Sequence, residues 1–257
     1  MNRLQINFKA FFLTGLFFLC AANPLFPETK SEMKAIRKIL HSKVYIKAES
    51  GQIFNAGQEA AMDPKTGKIY VLTNLAGVKY ERDGAGIILN SKGFIATNLH
   101  TVKDAGRITI TFHENSQIEA TPVQSYPDRD IAILRVKAPK PLEPIQFADS
   151  DKLKVGDQLY IIANSKLIRD VIGGVQIIGF DQTKKKNENE QTNIIQFVSD
   201  LPLQEGDSGS PILDKKGRFL GFVEAGHLFT QNPKYALPSN VIHNSYMEFL
   251  KSGKSKD

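Results

Sequence analysis

Cysteine is nearly missing from this 257-residue sequence, and its one instance, Cys20, lies close to the amino terminus. Residues 1–22 read as an export signal. Arg3 and Lys9 supply a positive start, Ala10–Leu19 an apolar stretch too short to cross a bilayer comfortably, and Cys20-Ala21-Ala22 small residues for cleavage before Asn23. A chain cut there has no cysteine, so disulfides cannot hold it even in an oxidising compartment and its core must. Two alternatives rank below simple cleavage: an uncleaved anchor, then a lipoprotein lipidated at Cys20. Leu19 argues against the second, because such signals place a small residue there.

Metal-ligand spacing is missing too. No pair among the five histidines is set apart as a metal pair would be, and no metal or other cofactor is expected. Nor does charge of one sign dominate. Lys and Arg number 33 against 27 Asp and Glu, a net +6 that falls by two when Arg3 and Lys9 leave with the signal. The one basic run, Lys184-Lys185-Lys186, is followed by Asn187, Glu188, Asn189 and Glu190, which marks a solvated loop of mixed charge. Nucleic acid is therefore not an expected partner. With 41% hydrophobic and 23% charged residues the chain is neither disordered nor fibrous. Its length allows one large core or two domains of about 100 residues each.

What is present is mostly short strands. Met33, Ile36, Ile39 and Leu40 fall at near-helical spacing and predict a short helix over Ser31–His41. Val44 and Ile46 alternate with more polar neighbours in a half-buried strand over Lys43–Ala48. Residues 51–83 read as a hairpin-bearing insertion with a turn at Asp63–Gly67 and a strand at Ile69–Leu72. Gly84–His100 reads as a strand, a tight polar turn and a second strand ending at a histidine. Further strands are predicted at Arg107–Phe112, Ala132–Val136, Gln158–Ala163, Val171–Phe180, Asn193–Val198, Ile212–Leu213 and Phe219–Val223. Short, evenly spaced strands divided by Gly, Asn, Asp and Ser predict an antiparallel barrel or sandwich. Pro139, Pro141 and Pro144 mark Lys137–Ser150 as an interdomain linker, and Asn240–Leu250 closes the chain as an amphipathic helix.

One stretch concentrates chemistry: Leu203-Gln204-Glu205-Gly206-Asp207-Ser208-Gly209-Ser210-Pro211. Ser208 is a candidate nucleophile. Gly206 can adopt a backbone conformation that turns its own N–H and that of Ser208 toward one point, the makings of an oxyanion hole. Such a serine needs an imidazole to take its proton, and the imidazole needs an acceptor on its other nitrogen. His41, His113, His227 and His243 read as surface or packing residues. His100 differs because it directly follows a buried-looking strand, and Asp130 stands at the mouth of the apolar run Ile131–Leu134. A blander reading makes Asp128 and Asp130 turn residues around Arg129.

The order His100, Asp130, Ser208, with Gly206-Asp207-Ser208-Gly209, resembles the chymotrypsin-like serine peptidases, and among them the HtrA/DegP group. Gly84–Ile88 through Thr97-Asn98-Leu99-His100 resembles that group's strand pair leading to the histidine, and Asp130–Leu134 its aspartate motif. Ala148–Asp157, Asp200–Leu203 and Tyr235–Asn240 are similar to it as well. The resemblance implies an all-β chain of two six-stranded antiparallel barrels with a short N-terminal helix and a C-terminal helix. Residues 23–138 would form the first barrel, with His100 and Asp130, and residues 139–257 the second, with Ser208 and the closing helix. It further implies Ser208 as nucleophile, His100 as general base, Asp130 as orienting carboxylate, and Leu203, Gln204, Val223, Glu224 and Ala236 around the substrate pocket. The activity implied is that of an exported, periplasmic or secreted serine endopeptidase of protein quality control, acting on unfolded or extended polypeptides and trimeric by resemblance alone.

Departures temper these expectations. No residues follow Asp257 to form the PDZ domain that HtrA proteins usually append, so regulation by such a module is not expected. Ser210 replaces that group's usual glycine and is similar to glutamyl endopeptidases. Val223 and Glu224, however, stand where those enzymes hold a histidine, so small or medium apolar side chains are expected in the pocket rather than acidic ones. Asp207 resembles the trypsin aspartate that pairs with a released amino terminus, but no Ile-Val-Gly-Gly start precedes His100. The insertion at 51–83 sits where HtrA proteins carry a regulatory loop. The other class of function is a catalytically silent trypsin-fold protein that binds polypeptides, a fate usually marked by a lost triad residue. His100, Asp130 and Ser208 are all present.

Overall fold

The computed structural model describes residues 29–50, 59–62, 69–72, 81–164, 169–184, 191–224 and 233–253. The expected signal, most of the insertion, His227 and all but the first of the lysine run lie outside them. The first barrel is built from β1 (Lys43–Ser50), β4 (Glu81–Ile88), β5 (Phe94–Asn98), β6 (Ala105–Thr111), β7 (Gln117–Tyr126) and β8 (Ile131–Val136), closed in the order β1-β4-β5-β8-β7-β6. The second comprises β9 (Gln158–Asn164), β10 (Arg169–Lys184), β11 (Gln191–Ser199), β12 (Pro211–Leu213), β13 (Phe219–Glu224) and β14 (Lys234–Pro238), closed in the order β10-β11-β14-β13-β12-β9. The expected pair of six-stranded antiparallel barrels is borne out. In the insertion, β2 (Glu59–Met62) and β3 (Ile69–Leu72) pair as a hairpin of their own.

Why the strands fall where they do follows from which faces are covered. β1 alternates, with Val44, Ile46 and Ala48 turned into the first barrel. β5 and β8 do not alternate, because both of their faces are buried. Ile95, Ala132 and Leu134 fill the barrel interior, while Phe94, Ala96, Ile131 and Ile133 face the second barrel. There they meet Tyr160, Ile162, Leu213, Phe219 and Phe222 in one inter-barrel core. β7 was not expected. Its face toward solvent is polar and Pro122, which has no N–H to donate, sits at a register shift against β8, so no apolar period announces it.

The terminal helices cross between barrels. α1 (Lys30–Lys38) starts with a capping box in which the Thr29 hydroxyl accepts from the Glu32 N–H and the Glu32 carboxylate accepts from the Thr29 N–H. It continues as a single 3₁₀ turn, Ile39–His41, and sets Ile36 and Ile39 into the inter-barrel core, with Glu32 3.9 Å from Lys215 of the second barrel. α3 (Ser239–Lys251) follows the second barrel yet packs Tyr246 and Phe249 on Phe94 of the first. The Tyr126 hydroxyl donates to the Ser245 carbonyl at 2.7 Å, and Arg129 pairs with Glu248 at 2.9 Å. Each barrel is thus clasped by the helix at the far end of the chain. Among the described residues no helix is long and apolar enough to cross a membrane.

Phe94 is 3% exposed at this junction, whereas Phe180 on β10 is 40% exposed. Phe94→Ala is expected to cost about 3–5 kcal/mol. Phe180→Ala should stay within roughly 0.5 kcal/mol of the parent. Urea unfolding of the two variants checks the contrast.

Candidate active site

The first barrel supplies His100 and Asp130 from adjacent strands. β5 ends at Asn98, and the chain turns into the single helical turn α2 (Leu99–Val102), so His100 lies one residue inside that turn and not at the end of the strand as expected. β8 pairs with β5 so that Asn98 faces Ile131, which brings Asp130 beside the turn. Asp130 holds a left-handed backbone (φ 51°), and its carbonyl accepts from Leu99 N–H at 2.9 Å. Non-glycine residues adopt that conformation rarely, and Asp and Asn are among the few that tolerate it because a short polar side chain bonds locally. Here the carboxylate accepts three donors. Oδ1 takes the His100 N–H at 2.8 Å, and Oδ2 takes the Asn98 amide at 3.1 Å and lies 2.6 Å from His100 Nδ1. An ionised carboxylate only accepts, so Nδ1 carries the proton and Nε2 keeps its lone pair. That lone pair faces Ser208 Oγ at 2.9 Å. Arg82 braces the turn from the side by donating to the carbonyls of His100 and Lys103.

The second barrel supplies Ser208 from the loop between β11 and β12. The Asp207 carboxylate folds this loop on itself, accepting the Gln204 N–H at 2.7 Å and, from the end of β9, the Asn164 N–H at 2.8 Å. Around it the N–H groups of Asp207, Gly209 and Ser210 donate to the carbonyls of Gln204, Val223 and Asp207. Among the described residues the N–H groups of Gly206 and Ser208 have no such acceptor, which leaves two donors flanking the serine. Gly206 has φ 101°, a backbone conformation that favours glycine. Gly209 (φ 82°) lies so close to the first barrel that a Cβ there would sit 2.0 Å from the Ala85 carbonyl oxygen. Beside it Ala85 N–H donates to the Ser208 carbonyl at 2.7 Å.

Of the expected pocket residues, Leu203, Val223 and Ala236 come together in the interior of the second barrel. Val223 and Ala236 are cross-strand partners, as are Glu224 and Tyr235. Gln204 is exposed and Glu224 half-buried. Lys234, which had not been singled out, donates to the Leu203 carbonyl at 3.3 Å. Among the described residues no group of three or more His, Cys, Asp or Glu is arranged to hold a metal.

A second polar group lies behind the nucleophile loop, and nothing in the sequence pattern marked it. Lys43 is 4% exposed; its ammonium donates to Asn164 Oδ1 and to Asp170 Oδ1, the latter at 2.7 Å. Burial pulls the Lys43 pKa down. Asp170, left-handed at φ 60°, also lies 3.3 Å from His113 Nδ1. Burial is the largest influence on its carboxyl and pushes the pKa up, but Lys43 and His113 together outweigh it and hold the pKa below the ordinary value.

Residues 84–222 match the family model of the trypsin-like peptidase domain, more than half of the chain, and the chain belongs to that family. Its relatives lie among the DegP/HtrA proteases. It is 28% identical over 175 residues to the probable periplasmic serine protease do/HhoA-like of Haemophilus influenzae, covering 66% of this chain and 37% of that protein. It is 30% identical over 175 residues to the probable periplasmic serine endoprotease DegP-like of Chlamydia pneumoniae, covering 66% and 35%. The chain therefore spans little more than a third of these relatives. In fold it is similar to the HtrA-type protease AlgW with tripeptide, at a TM-score of 0.66 and 18% identity over 87% of this chain and 64% of that one.

A depressed carboxyl pKa stabilises the fold above the ordinary carboxylate range, and that stability is lost as the pH falls through the folded-state value. Asp170→Asn should therefore lower the melting temperature near neutrality, with the gap to the parent closing as the pH drops below the ordinary carboxylate range. A gap that stays constant in thermal unfolding down to about pH 2 would contradict this account of Asp170.

Proposed function

We propose that the chain is an exported serine endopeptidase that cleaves unfolded or extended polypeptides through an acyl-enzyme. The observation that carries this reading is the continuous contact from Asp130 through the His100 ring to Ser208, 2.6 Å on one side and 2.9 Å on the other. His100 Nε2 takes the Ser208 proton as Oγ attacks the scissile carbonyl, and Asp130 stabilises the imidazolium that forms. The N–H groups of Gly206 and Ser208, unpaired among the described residues, receive the developing oxyanion, each worth about 3–4 kcal/mol of barrier in comparable sites. His100 then returns the proton to the leaving amine. A water deprotonated by the same nitrogen releases the acyl group from Ser208. An extended substrate would lie beside the cleft as an added strand, satisfying its backbone groups there.

Export to the periplasm is supported by the residues before Asn23 and by the relatives, which are named as probable periplasmic proteases. Ser208→Ala should lower the hydrolysis of an unfolded, disulfide-free protein on the order of 10⁶-fold with the fold intact. Asp130→Asn, which removes the acceptor that fixes the His100 tautomer, should cost about 10⁴-fold. Initial rates on the mature protein, with circular dichroism as the check on folding, decide it; a Ser208→Ala protein with substantial activity would refute the reading.

A further inference from the structure

The reading above gives no work to Lys43, although it carries one of the most completely buried charges among the described residues. Ammonium groups are almost never buried unless paired, and this one has two anions in its surroundings. Asp170 binds it directly at 2.7 Å. Asp207 is one residue removed: Lys43 donates to the side chain of Asn164, whose own backbone N–H donates to Asp207 Oδ1 at 2.8 Å. Asn164 is itself 2% exposed and reaches a third element, its amide donating to the Gly84 carbonyl at 3.4 Å. The residue after Gly84 is Ala85, which donates to the Ser208 carbonyl. Lys43 on β1, Asn164 on β9 and Asp207 beside Ser208 thus form one polar line through the junction of the barrels.

Asp207 needs such a counter-charge. It is 2% exposed, with two N–H donors and, among the described residues, no cation in contact. Burial pushes its carboxyl pKa up, the two N–H bonds oppose this, and of the cations that also oppose it Lys43 acts more strongly than Lys234. If that carboxylate were protonated or displaced, the Gln204–Asp207 turn would lose an acceptor, and with it the turn that holds Gly206 and Ser208. Among the described residues the other charged or titratable groups around Lys43 are Arg169, which stacks over Tyr45 at 5.2 Å, and His113, which already sits against Asp170.

We propose that Lys43 is a positioning residue for the nucleophile loop: its charge, relayed by Asn164, keeps Asp207 ionised in its buried seat and so holds the backbone donors of Gly206 and Ser208 in place. The proposal rests on the reading of Ser208 as nucleophile. It assigns no contact with substrate to Lys43, so the loss of its charge should act on turnover and not on binding.

The test compares Lys43→Met, Asp207→Asn, Lys43→Met with Asp207→Asn, and Lys43→Met with Asp170→Asn, measuring kcat and KM on a peptide substrate. Lys43→Met should lower kcat by about 10²-fold, the scale of one misplaced oxyanion donor, with KM little changed. Asp207→Asn, which removes one of the two acceptor oxygens, should by itself lower kcat by a similar factor, and adding it to Lys43→Met should cost little more because both act through the same carboxylate. Adding Asp170→Asn to Lys43→Met should not recover the loss. Recovery with Asp170→Asn alone, or parental kcat in folded Lys43→Met, would overturn the proposal and leave Lys43 as a partner of Asp170 only. Where Lys43→Met does not fold, Lys43→Gln keeps a donor in place without charge, with the same outcomes expected. An inactive parent would instead sink the reading of Ser208, which keeps the two failures apart.

Discussion

The junction where the Ala85 N–H meets the Ser208 carbonyl, with Gly209 pressed on the Ala85 carbonyl beside it, is the constraint on which the rest of the molecule depends. His100 and Asp130 come from one barrel and Ser208 from the other, so their alignment is a property of how two closed sheets dock. Interiors pack like crystals and transmit small displacements. A shift of an ångström across this seam would take His100 Nε2 out of reach of Ser208 while leaving both barrels formed. Glycine at position 209 lets the seam close, since any side chain there would hold the backbones apart.

Apolar burial supplies the force that closes the seam. Phe94, Ile131 and Ile133 on one side face Tyr160, Phe219 and Phe222 on the other, and each large side chain withdrawn from water contributes roughly 1.5–3 kcal/mol. The terminal helices extend the same core from opposite ends. Directional groups then set the register that burial alone cannot. The Asp130 carboxylate gathers three donors from the end of β5 and the α2 turn, and the Asp207 carboxylate gathers two from separate parts of the second barrel. Each of these acids fixes one half of the site, and the left-handed backbone at Asp130 is the local cost of its position.

Much of this was legible in the sequence for a physical reason. Strands with one covered face, such as Lys43–Ser50, alternate, and strands covered on both, such as Phe94–Asn98 and Ile131–Val136, read as apolar runs. The residue types of His100, Asp130 and Ser208 were readable because a serine nucleophile needs a base and the base an acceptor, whereas their order was readable only through the family resemblance. What failed to show depends on distant contacts. β7 is polar and interrupted by Pro122, and only its neighbours make it a strand. Arg82, Asn164 and Lys43 are unremarkable in sequence, and Lys43 and Asn164 stand 121 positions apart. Lysine at the start of a half-buried strand reads as a solvated charge until the second barrel covers it.

The central claim is that the docked barrels present an activated serine, and covalent labelling tests it most directly. The mature protein would be treated with a fluorophosphonate probe and read by intact mass beside Ser208→Ala and His100→Ala. The account predicts a single adduct on the parent and none on either variant. A folded parent that takes up no probe, or a Ser208→Ala protein that still does, would contradict it.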